Sequence, residues 1–407
     1  YHWIIIKLFK QKVMKRGIPV VNILQIRQLF LFMLAIVFAS CSKEIVNTKN
    51  YVYEVPADVN DGIAVRDSKS HNIDSNLIAK LNRDIIDETI YNVHSVLIYK
   101  DDALFYEKYL CGKDEKHGKN LGIVHHDIYT LHDTRSITKS IVSACIGIAI
   151  SKGLIRDENV PIKKYFPCSD NDKKGSITIK DLLTMTSGLC WKEIGNYNGW
   201  SDETKMDLSF NPVAFVLNKD LIAEPGSIWN YSGVNTQVLA EIIHKGSGKN
   251  ICQFAEENLF RPLGITNKEW VELTLKKIPA AASGLRLTSR ELLKFGILYK
   301  DNGVFNSARI LDSNWVKASL SDHIQRPDLT GINLENGAYG YQFWTCRFNI
   351  KNKTVSITEA KGNGCQSVFI CKELNLIVVI TAGNYGKLQH NGIPYKILKD
   401  YILYSML

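Results

Sequence analysis

The apolar positions of the chain repeat with a helical period in some segments and cluster like strands in others. Within residues 76–91, apolar side chains recur every three or four positions, which predicts an amphipathic helix. Two runs rich in β-branched and aromatic residues follow, 94–99 and 103–110, and the three polar residues between them predict a β-hairpin. Residues 136–154 are mostly apolar without a polar face, so we expect a helix at the centre of the fold.

The order of the remaining predicted elements indicates the fold class. Further helices are predicted at 179–186, 212–217, 236–244, 289–299 and 393–404, and further strands at 341–348, 354–358, 366–371 and 376–381. Strands therefore gather towards both ends of the sequence. This order predicts an α+β domain over 76–407, in which one antiparallel sheet is flanked by helices and an all-helical region of about 165–280 is inserted.

The first forty residues form a separate segment that is basic and contains no acidic residue. Basic residues precede an apolar run at 29–40, which is too short to span a bilayer because a spanning helix needs roughly 20 residues. This pattern predicts a signal peptide over 1–40, with translation starting at Met14. Residues 38–41, Phe-Ala-Ser-Cys, resemble a lipobox, so Cys41 is predicted to carry a lipid and 41–75 to form a tether. A plain secretory signal and an uncleaved anchor are the alternatives.

Most of the positive net charge of the chain belongs to this N-terminal segment. The chain carries 50 Lys and Arg against 41 Asp and Glu, a net charge of +9. Six of the basic residues lie within the first forty positions, and removing them leaves 44 against 41, or +3. We therefore expect no nucleic-acid partner. Instead we expect the protein in the bacterial cell envelope, held to a membrane by its lipid and facing the periplasm or the cell surface.

Cysteine and histidine spacing gives no metal motif. Of nine cysteines, eight remain beyond Cys41, an even number that permits disulfides without selecting any pairing. No Cys-x-x-Cys pair exists, which argues against a thiolate zinc site. Because His125, His126 and His132 do not follow a metal-ligand spacing either, we expect no metal and no cofactor.

The first candidate for chemistry is the tetrapeptide Ser136-Ile137-Thr138-Lys139. Residues three apart share one face of a helix, so the Lys139 ammonium can reach the Ser136 hydroxyl. The helix N-terminus favours negative charge on that oxygen. Burial should lower the pKa of Lys139, which would let it accept the serine proton. The alternative is that Ser136 caps the helix and Lys139 extends to solvent.

Two further segments add candidate groups. In 229–233, Trp-Asn-Tyr-Ser-Gly, the phenol of Tyr231 could enter a cleft as a base or proton relay, although a buried tyrosine with one hydrogen bond fits equally. Residues 361–366, Lys-Gly-Asn-Gly-Cys-Gln, precede a strand. Their glycines allow close approach to a ligand, and the N–H of Cys365 could join that of Ser136 in an oxyanion hole. A simple hairpin turn is the alternative.

These segments, in this order and spacing, resemble the penicillin-recognising serine hydrolases, specifically the class C beta-lactamase-related family. The resemblance covers about 76–400 and includes 177–189, ITIKDLLTMTSGL, which is similar to the family's I-T-I-R-x-L-L-T-H-T-S-G-L. It implies the beta-lactamase/transpeptidase-like fold. It also implies that Ser136 is the acylated nucleophile, Lys139 its base partner and Tyr231 the catalytic tyrosine of the family's Y-x-N element.

Two departures from the family pattern bear on the substrate. Gly233 stands where beta-lactamases have Asn, and 362–364 stands where they have K-T-G, with Lys361 one residue out of register. Those Asn and Lys side chains hold the beta-lactam amide and carboxylate, so their absence argues against efficient beta-lactam hydrolysis. The pattern is more similar to the family's esterases, amide hydrolases and 6-aminohexanoate-dimer hydrolases. Their third motif is G-x-G-G-Q, with Cys365 here in place of the Gly before Gln366.

The leading hypothesis is an exported serine hydrolase that cleaves a small ester, amide or peptide through an acyl-serine intermediate. The side chains and backbone expected to bind substrate are Gly362, Asn363, Gly364, Gln366 and Trp191. One alternative is a beta-lactamase or D-Ala peptidase acting on cell-wall peptides. Another is a non-catalytic envelope lipoprotein that uses the cleft only for binding.

Overall fold

The fold is built on a central sheet to which both ends of the chain contribute. The computed structural model describes residues 53–67, 73–167, 173–193, 201–275, 277–326 and 335–407. The strands are β1 (Val93–Lys100), β2 (Ala103–Tyr109), β3 (Cys111–Lys116), β4 (Lys119–His125), β5 (His132–Asp133), β6 (Lys268–Trp270), β7 (Leu285–Leu287), β8 (Val304–Phe305), β9 (Ala308–Arg309), β10 (Ile324–Arg326), β11 (Glu335–Tyr339), β12 (Trp344–Ile350), β13 (Lys353–Gly362), β14 (Gln366–Cys371) and β15 (Leu376–Ala382).

Most of the helices lie in the middle of the chain, between β5 and β10. They are α1 (Ser75–Ile86), α2 (Ile137–Ser151), α3 (Ile179–Leu183), α4 (Asp202–Asp207), α5 (Pro212–Leu217), α6 (Gly233–Ser247), α7 (Ile251–Ala255), α8 (Ser289–Lys300), α9 (Ser313–Ser319) and α10 (Ile393–Lys396). A π-helical turn, Glu256–Phe260, extends α7, and a second, Ile397–Leu403, extends α10.

Eight strands pair in the order β10-β11-β12-β13-β14-β15-β1-β2, and all neighbours are antiparallel. Strands β1 and β2 come from the N-terminal part of the chain and the other six from the C-terminal part. This confirms the α+β prediction of one antiparallel sheet shared by the two ends. The predicted hairpin of 94–99 and 103–110 is the pair β1–β2.

Two layers of helices cover the sheet. Helix α2 is buried from Ile137 to Ala149 and packs against α6 and β13, as its apolar composition predicts. Helix α8 lies on β14, β15 and β1, where Gly296 permits close contact because a Cβ there would lie 2.9 Å from Ile377. On the opposite face, the Tyr395 ring of α10 packs 5.6 Å from Phe369. The sheet is therefore buried on both faces, which explains the uninterrupted apolar runs in β14, from Val368 to Cys371, and in β15, from Leu376 to Ile380.

Residues 53–67 belong to the folded domain, although the sequence placed them in a tether. The side chain of Ile63 is 3% exposed. The backbone of Ala64 and Arg66 pairs with Leu104 of β2 through hydrogen bonds of 2.8 and 3.0 Å. Strand β2 is an edge of the sheet, so its free backbone groups give this segment a place to pair. The predicted signal peptide, Cys41 and the start of the tether lie outside the described residues.

Other details differ from the predictions. The region at about 165–280 is not all-helical, because it contains strand β6, which pairs with β7 just beyond it. The hairpin β3–β4 was not predicted, although its turn, His117-Gly118, has two residues with positive φ, which is typical of hairpins. Among the described residues, Cys145, Cys190, Cys252, Cys346, Cys365 and Cys371 are free thiols. None of the described helices is both long and apolar enough to cross a bilayer.

Candidate active site

The nucleophile candidate Ser136 lies at the start of the buried helix α2. It occupies the N-cap position, but its side chain makes no capping hydrogen bond. Lys139, one turn later, donates a hydrogen bond of 2.9 Å to Ser136 Oγ and a second of 3.0 Å to the carbonyl of Ala282. Its side chain is only 1% exposed. The alternative of a capping serine and a solvent-exposed lysine is therefore wrong for this chain.

The charge state of Lys139 differs from the expectation. Burial favours the neutral amine, but the Tyr231 phenol and the carboxylates of Glu193 and Glu203 outweigh it and raise the pKa of Lys139 above its usual value. We predicted a lowered pKa because the neighbouring sequence is apolar. The structure instead holds Lys139 as an ammonium in the resting site.

Tyr231 completes the group around the lysine. Its ring centre lies 5.1 Å from Lys139 Nζ. Burial raises the pKa of Tyr231, and this effect exceeds the opposing effect of the lysine charge. Lys139 and Tyr231 are close enough to titrate as a pair, and the resting pair is fully protonated at neutral pH. One proton must leave the pair before it can accept the proton of Ser136.

An aromatic wall surrounds the phenol of Tyr231. The half-buried rings of Trp229 and Trp344 lie 6.0 and 5.5 Å from it, and the buried ring of Tyr339 meets it edge-on at 6.4 Å. Such a surface suits an apolar group of a substrate.

Glu193 is a site residue that the sequence analysis missed. Its Oε1 lies 3.7 Å from Lys139 Nζ, and its Oε2 accepts hydrogen bonds from the indole N–H of Trp191 and the backbone N–H of Gly233. A Cβ on Gly233 would lie 3.0 Å from Glu193 Oε2. The carboxylate thus occupies the space beside position 233, where the beta-lactamase pattern has an Asn side chain.

A second carboxylate lies close to the first. Glu203 accepts a hydrogen bond of 3.3 Å from Ser283, and both burial and the charge of Glu193 raise its pKa. No sequence motif links Glu193 and Glu203 to the serine and lysine, because more than fifty residues separate them from Lys139 along the chain.

The turn between β13 and β14 approaches the start of α2. A Cβ on Gly362 would lie 2.2 Å from the backbone oxygen of Thr134, two residues before Ser136, so only glycine fits there. Cys365 has a φ of +72°, a left-handed conformation that explains why the related motif has Gly at this position. The turn therefore runs beside the nucleophile, where the predicted oxyanion donor would have to be.

Several residues expected to bind substrate have scaffold contacts instead. The amide of Gln366 is buried and bonds to the backbone of Ala382 on β15. Trp191 is 4% exposed and holds Glu193, and Asn363 accepts a hydrogen bond of 2.8 Å from Gly386 N–H. Lys361 donates to the Tyr395 hydroxyl at 2.9 Å, on the face of the sheet opposite α2. Lys361 therefore does not replace the lysine of K-T-G.

Comparison with known proteins identifies the family. The family model described as Beta-lactamase matches residues 93–392. The chain belongs to the Beta-lactamase family. Members of this family that share the fold are serine hydrolases, including esterases, amidases and beta-lactamases. The fold is the beta-lactamase/transpeptidase-like one that the resemblance implied.

Individual relatives in the family are distant. "Putative penicillin-binding protein PbpX" of Bacillus subtilis is 29% identical over 152 residues, which is 37% of this chain and 36% of that protein. The 6-aminohexanoate-dimer hydrolase of Paenarthrobacter ureafaciens is 22% identical over 52% of this chain and 57% of its own length. The chain thus spans about a third of the length of the first relative and somewhat more than half of the second. The solved structure of a protein titled "putative beta-lactamase" from Bacteroides dorei superposes with a TM-score of 0.63 at 18% identity, covering 82% of this chain and 99% of that one.

Proposed function

We propose that this protein is an exported serine hydrolase that cleaves an ester or amide bond through an acyl-enzyme on Ser136. The observation that carries the proposal is the hydrogen bond of 2.9 Å from the buried Lys139 ammonium to a Ser136 hydroxyl that does not cap its helix. Burying an ammonium group costs free energy unless hydrogen bonds and opposite charges compensate it, and one of the hydrogen bonds of Lys139 goes to the Ser136 hydroxyl.

The proposed reaction follows from these contacts. Once the Lys139–Tyr231 pair has lost one proton, it accepts the proton of Ser136 as Oγ attacks the substrate carbonyl carbon. The N–H groups of Ser136 and Cys365 donate to the oxyanion that forms. The pair then returns the proton to the leaving alcohol or amine. Water attacks the acyl-enzyme by the same route and releases the acid.

Four observations favour a simple ester or amide over a beta-lactam as the substrate. Glu193 takes the place of the beta-lactamase Asn, and Lys361 points to the other face of the sheet. The aromatic wall beside Tyr231 offers an apolar surface rather than a cationic one. One relative is named 6-aminohexanoate-dimer hydrolase, and the two halves of such a dimer are joined by an amide bond.

The decisive experiment is covalent labelling with a fluorophosphonate, followed by mass spectrometry of the labelled peptide. We expect one adduct on Ser136 and none in Ser136→Ala. Ser151→Ala, at the other end of α2, is the matched control and should label like the wild type. A folded wild-type protein that fails to label, or that labels elsewhere, would refute the proposal. Turnover of p-nitrophenyl esters, D-amino-acid amides and a chromogenic cephalosporin would then rank the substrate classes.

The location is a separate part of the proposal. It rests on the basic segment, the apolar run at 29–40 and the lipobox-like residues 38–41. We expect fatty-acid labelling of the wild type and a gel shift with loss of label in Cys41→Ser. A wild type that is exported without lipid would leave the hydrolase proposal intact and refute the anchor.

A further inference from the structure

A second group of chemically active side chains lies outside the candidate active site. His94, Asp114, His126 and His132 come from β1, β3, the residue after β4, and β5, and one donor atom from each lies within 4.8 Å of the others. All four are buried, with exposures of 0, 4, 7 and 0%. The sequence analysis expected no metal because the spacing of His125, His126 and His132 follows no metal-ligand motif, and it did not consider His94 or Asp114.

Backbone carbonyls fix how two of the histidines carry their protons. His94 donates from Nε2 to Lys113 O at 3.1 Å, and His126 donates from Nδ1 to Leu110 O at 2.7 Å. Each neutral ring therefore keeps a lone pair on its other nitrogen, which is Nδ1 of His94 and Nε2 of His126. This is the arrangement that metal-binding histidines adopt, with one nitrogen held by an outer hydrogen bond and the other free.

Two imidazole nitrogens of the cluster are left without protein partners. Among the described residues, Nδ1 of His94 and Nδ1 of His132 have no hydrogen-bond partner although both rings are fully buried. Nε2 of His132 lies 3.3 Å from the Thr381 hydroxyl. A buried polar atom without a partner is costly, so two of them in one cluster indicate that a ligand is expected there.

Asp114 adds the strongest sign of a cation. Its Oδ1 accepts from the Glu115 N–H at 2.8 Å and from the Tyr385 hydroxyl at 3.3 Å. Its Oδ2 lies 3.3 Å from the Nε2 lone pair of His126. Two electron-rich atoms at this distance repel each other unless a positive charge, either a proton or a metal ion, lies between them.

We propose that these four residues bind one Zn²⁺ ion, through Nδ1 of His94, Nε2 of His126, Nδ1 of His132 and Oδ2 of Asp114. Three imidazoles and one carboxylate suit zinc and not the oxygen-preferring Mg²⁺ or Ca²⁺. Donors around a tetrahedral zinc ion lie about 3.3 Å apart, because the bonds are about 2.0–2.1 Å long. The rings of His94 and His126 are stacked with their centroids 3.9 Å apart, so their lone pairs lie in separate planes. Asp114 lies on β3 and His126 directly follows β4, in a hairpin outside the main sheet, so zinc binding would combine a movement of this hairpin with a rotation of the His126 ring.

Four protein ligands leave no open position, which identifies the site as structural and not catalytic. Zinc would connect the β3–β4 hairpin to β1 of the main sheet and to β5. Strand β5 ends three residues before Ser136. The ion would therefore stabilise the chain segment that leads to the nucleophile without touching the substrate.

The test uses the full protein, treated with chelator, dialysed and titrated with ZnCl₂. We expect one zinc per chain by mass spectrometry of the metal. We also expect visible absorption bands typical of tetrahedral Co²⁺ when cobalt is used, and a Tm about 3 °C or more higher when zinc is in large excess. Asp114→Asn should weaken zinc binding at least about tenfold, whereas His125→Ala, beside the cluster but exposed, should bind like the wild type.

The wild-type titration decides the question even if a variant fails to fold. No zinc above background, no cobalt bands and an unchanged Tm would overturn the proposal. Equal zinc binding by the folded wild type and Asp114→Asn would also overturn it.

Discussion

Replacing Glu193 with Gln tests the electrostatic account of the candidate site most directly. In Glu193→Gln, the amide oxygen can still accept from the Trp191 indole and the Gly233 N–H, as Oε2 does now. The amide NH₂ takes the place of Oε1 beside Lys139. The substitution therefore removes the negative charge next to the lysine while keeping the shape and the acceptor contacts.

The size of the effect follows from the distance of 3.7 Å between Glu193 Oε1 and Lys139 Nζ. Two unit charges at this distance attract by about 4.5 kcal/mol at an effective dielectric constant of about 20. One pKa unit corresponds to about 1.36 kcal/mol, so the carboxylate raises the pKa of Lys139 by about three at most. Glu203 remains in the variant, and relaxation reduces the difference. We expect the pKa of the Lys139–Tyr231 pair to fall by about one to three.

The assay is the pH dependence of kcat/KM for an activated ester, from neutral to alkaline pH. The raised pKa values of Lys139 and Tyr231 mean that activity should increase with pH until the pair has lost one proton. In Glu193→Gln this increase should occur at lower pH, because the pair loses its proton more easily. Glu257→Gln, which changes an exposed carboxylate on the surface, should follow the wild type.

Superimposed pH profiles of the wild type and a folded Glu193→Gln would refute this reasoning. A lower plateau without a shift would show that Glu193 only positions its neighbours. Thermal denaturation of each variant separates these outcomes from a loss of folded protein.

Three other substitutions test individual contacts. Gly362→Ala would place a Cβ against backbone that cannot move, so the free energy of unfolding measured in urea should fall by about 1–3 kcal/mol and ester hydrolysis should slow. Gly392→Ala, where the space is open, should change neither quantity. Arg290→Ala would leave the buried carboxylate of Glu107 without its charged partner, so the free energy of unfolding should fall by about 3–5 kcal/mol. Arg156→Ala, at an exposed ion pair, should change it little. Cys365→Gly keeps the backbone N–H and suits the positive φ, so kcat/KM should be unchanged, and a large loss would mean that the thiol itself takes part.

The elements that the sequence predicted well are those whose pattern is local. The helix Pro212–Leu217 and the strand Gln366–Cys371 lie at the predicted residues, since a proline at a helix start and an uninterrupted apolar run are signals within a few positions. The hairpin β3–β4 was missed because four of the six residues of β3 are charged, so this strand shows no apolar alternation, and β4 is exposed at nearly every position.

The site residues divide in the same way. Ser136 and Lys139 are one helical turn apart, so their contact could be predicted from spacing alone. Glu193 meets Lys139 and Gly233 only through the tertiary fold, and without it the direction of the lysine pKa could not be predicted. The same holds for His94 and Asp114, which reach the other two histidines across three separate sheets.

Position 233 has Gly where the beta-lactamase pattern has Asn. This difference and the presence of Glu193 are best understood as one change. The space that an Asn side chain would fill holds a carboxylate, and that carboxylate binds the Gly233 N–H. With Glu203 close by and Lys361 bonded to Tyr395 on the other face, the described part of the site gathers negative charge around Lys139. A beta-lactam presents its own carboxylate beside the bond to be cleaved, and like charges at such distances repel strongly in a buried site. Introducing Asn at 233 alone would therefore not create a beta-lactamase, because Glu193 would still occupy the space and repel the substrate.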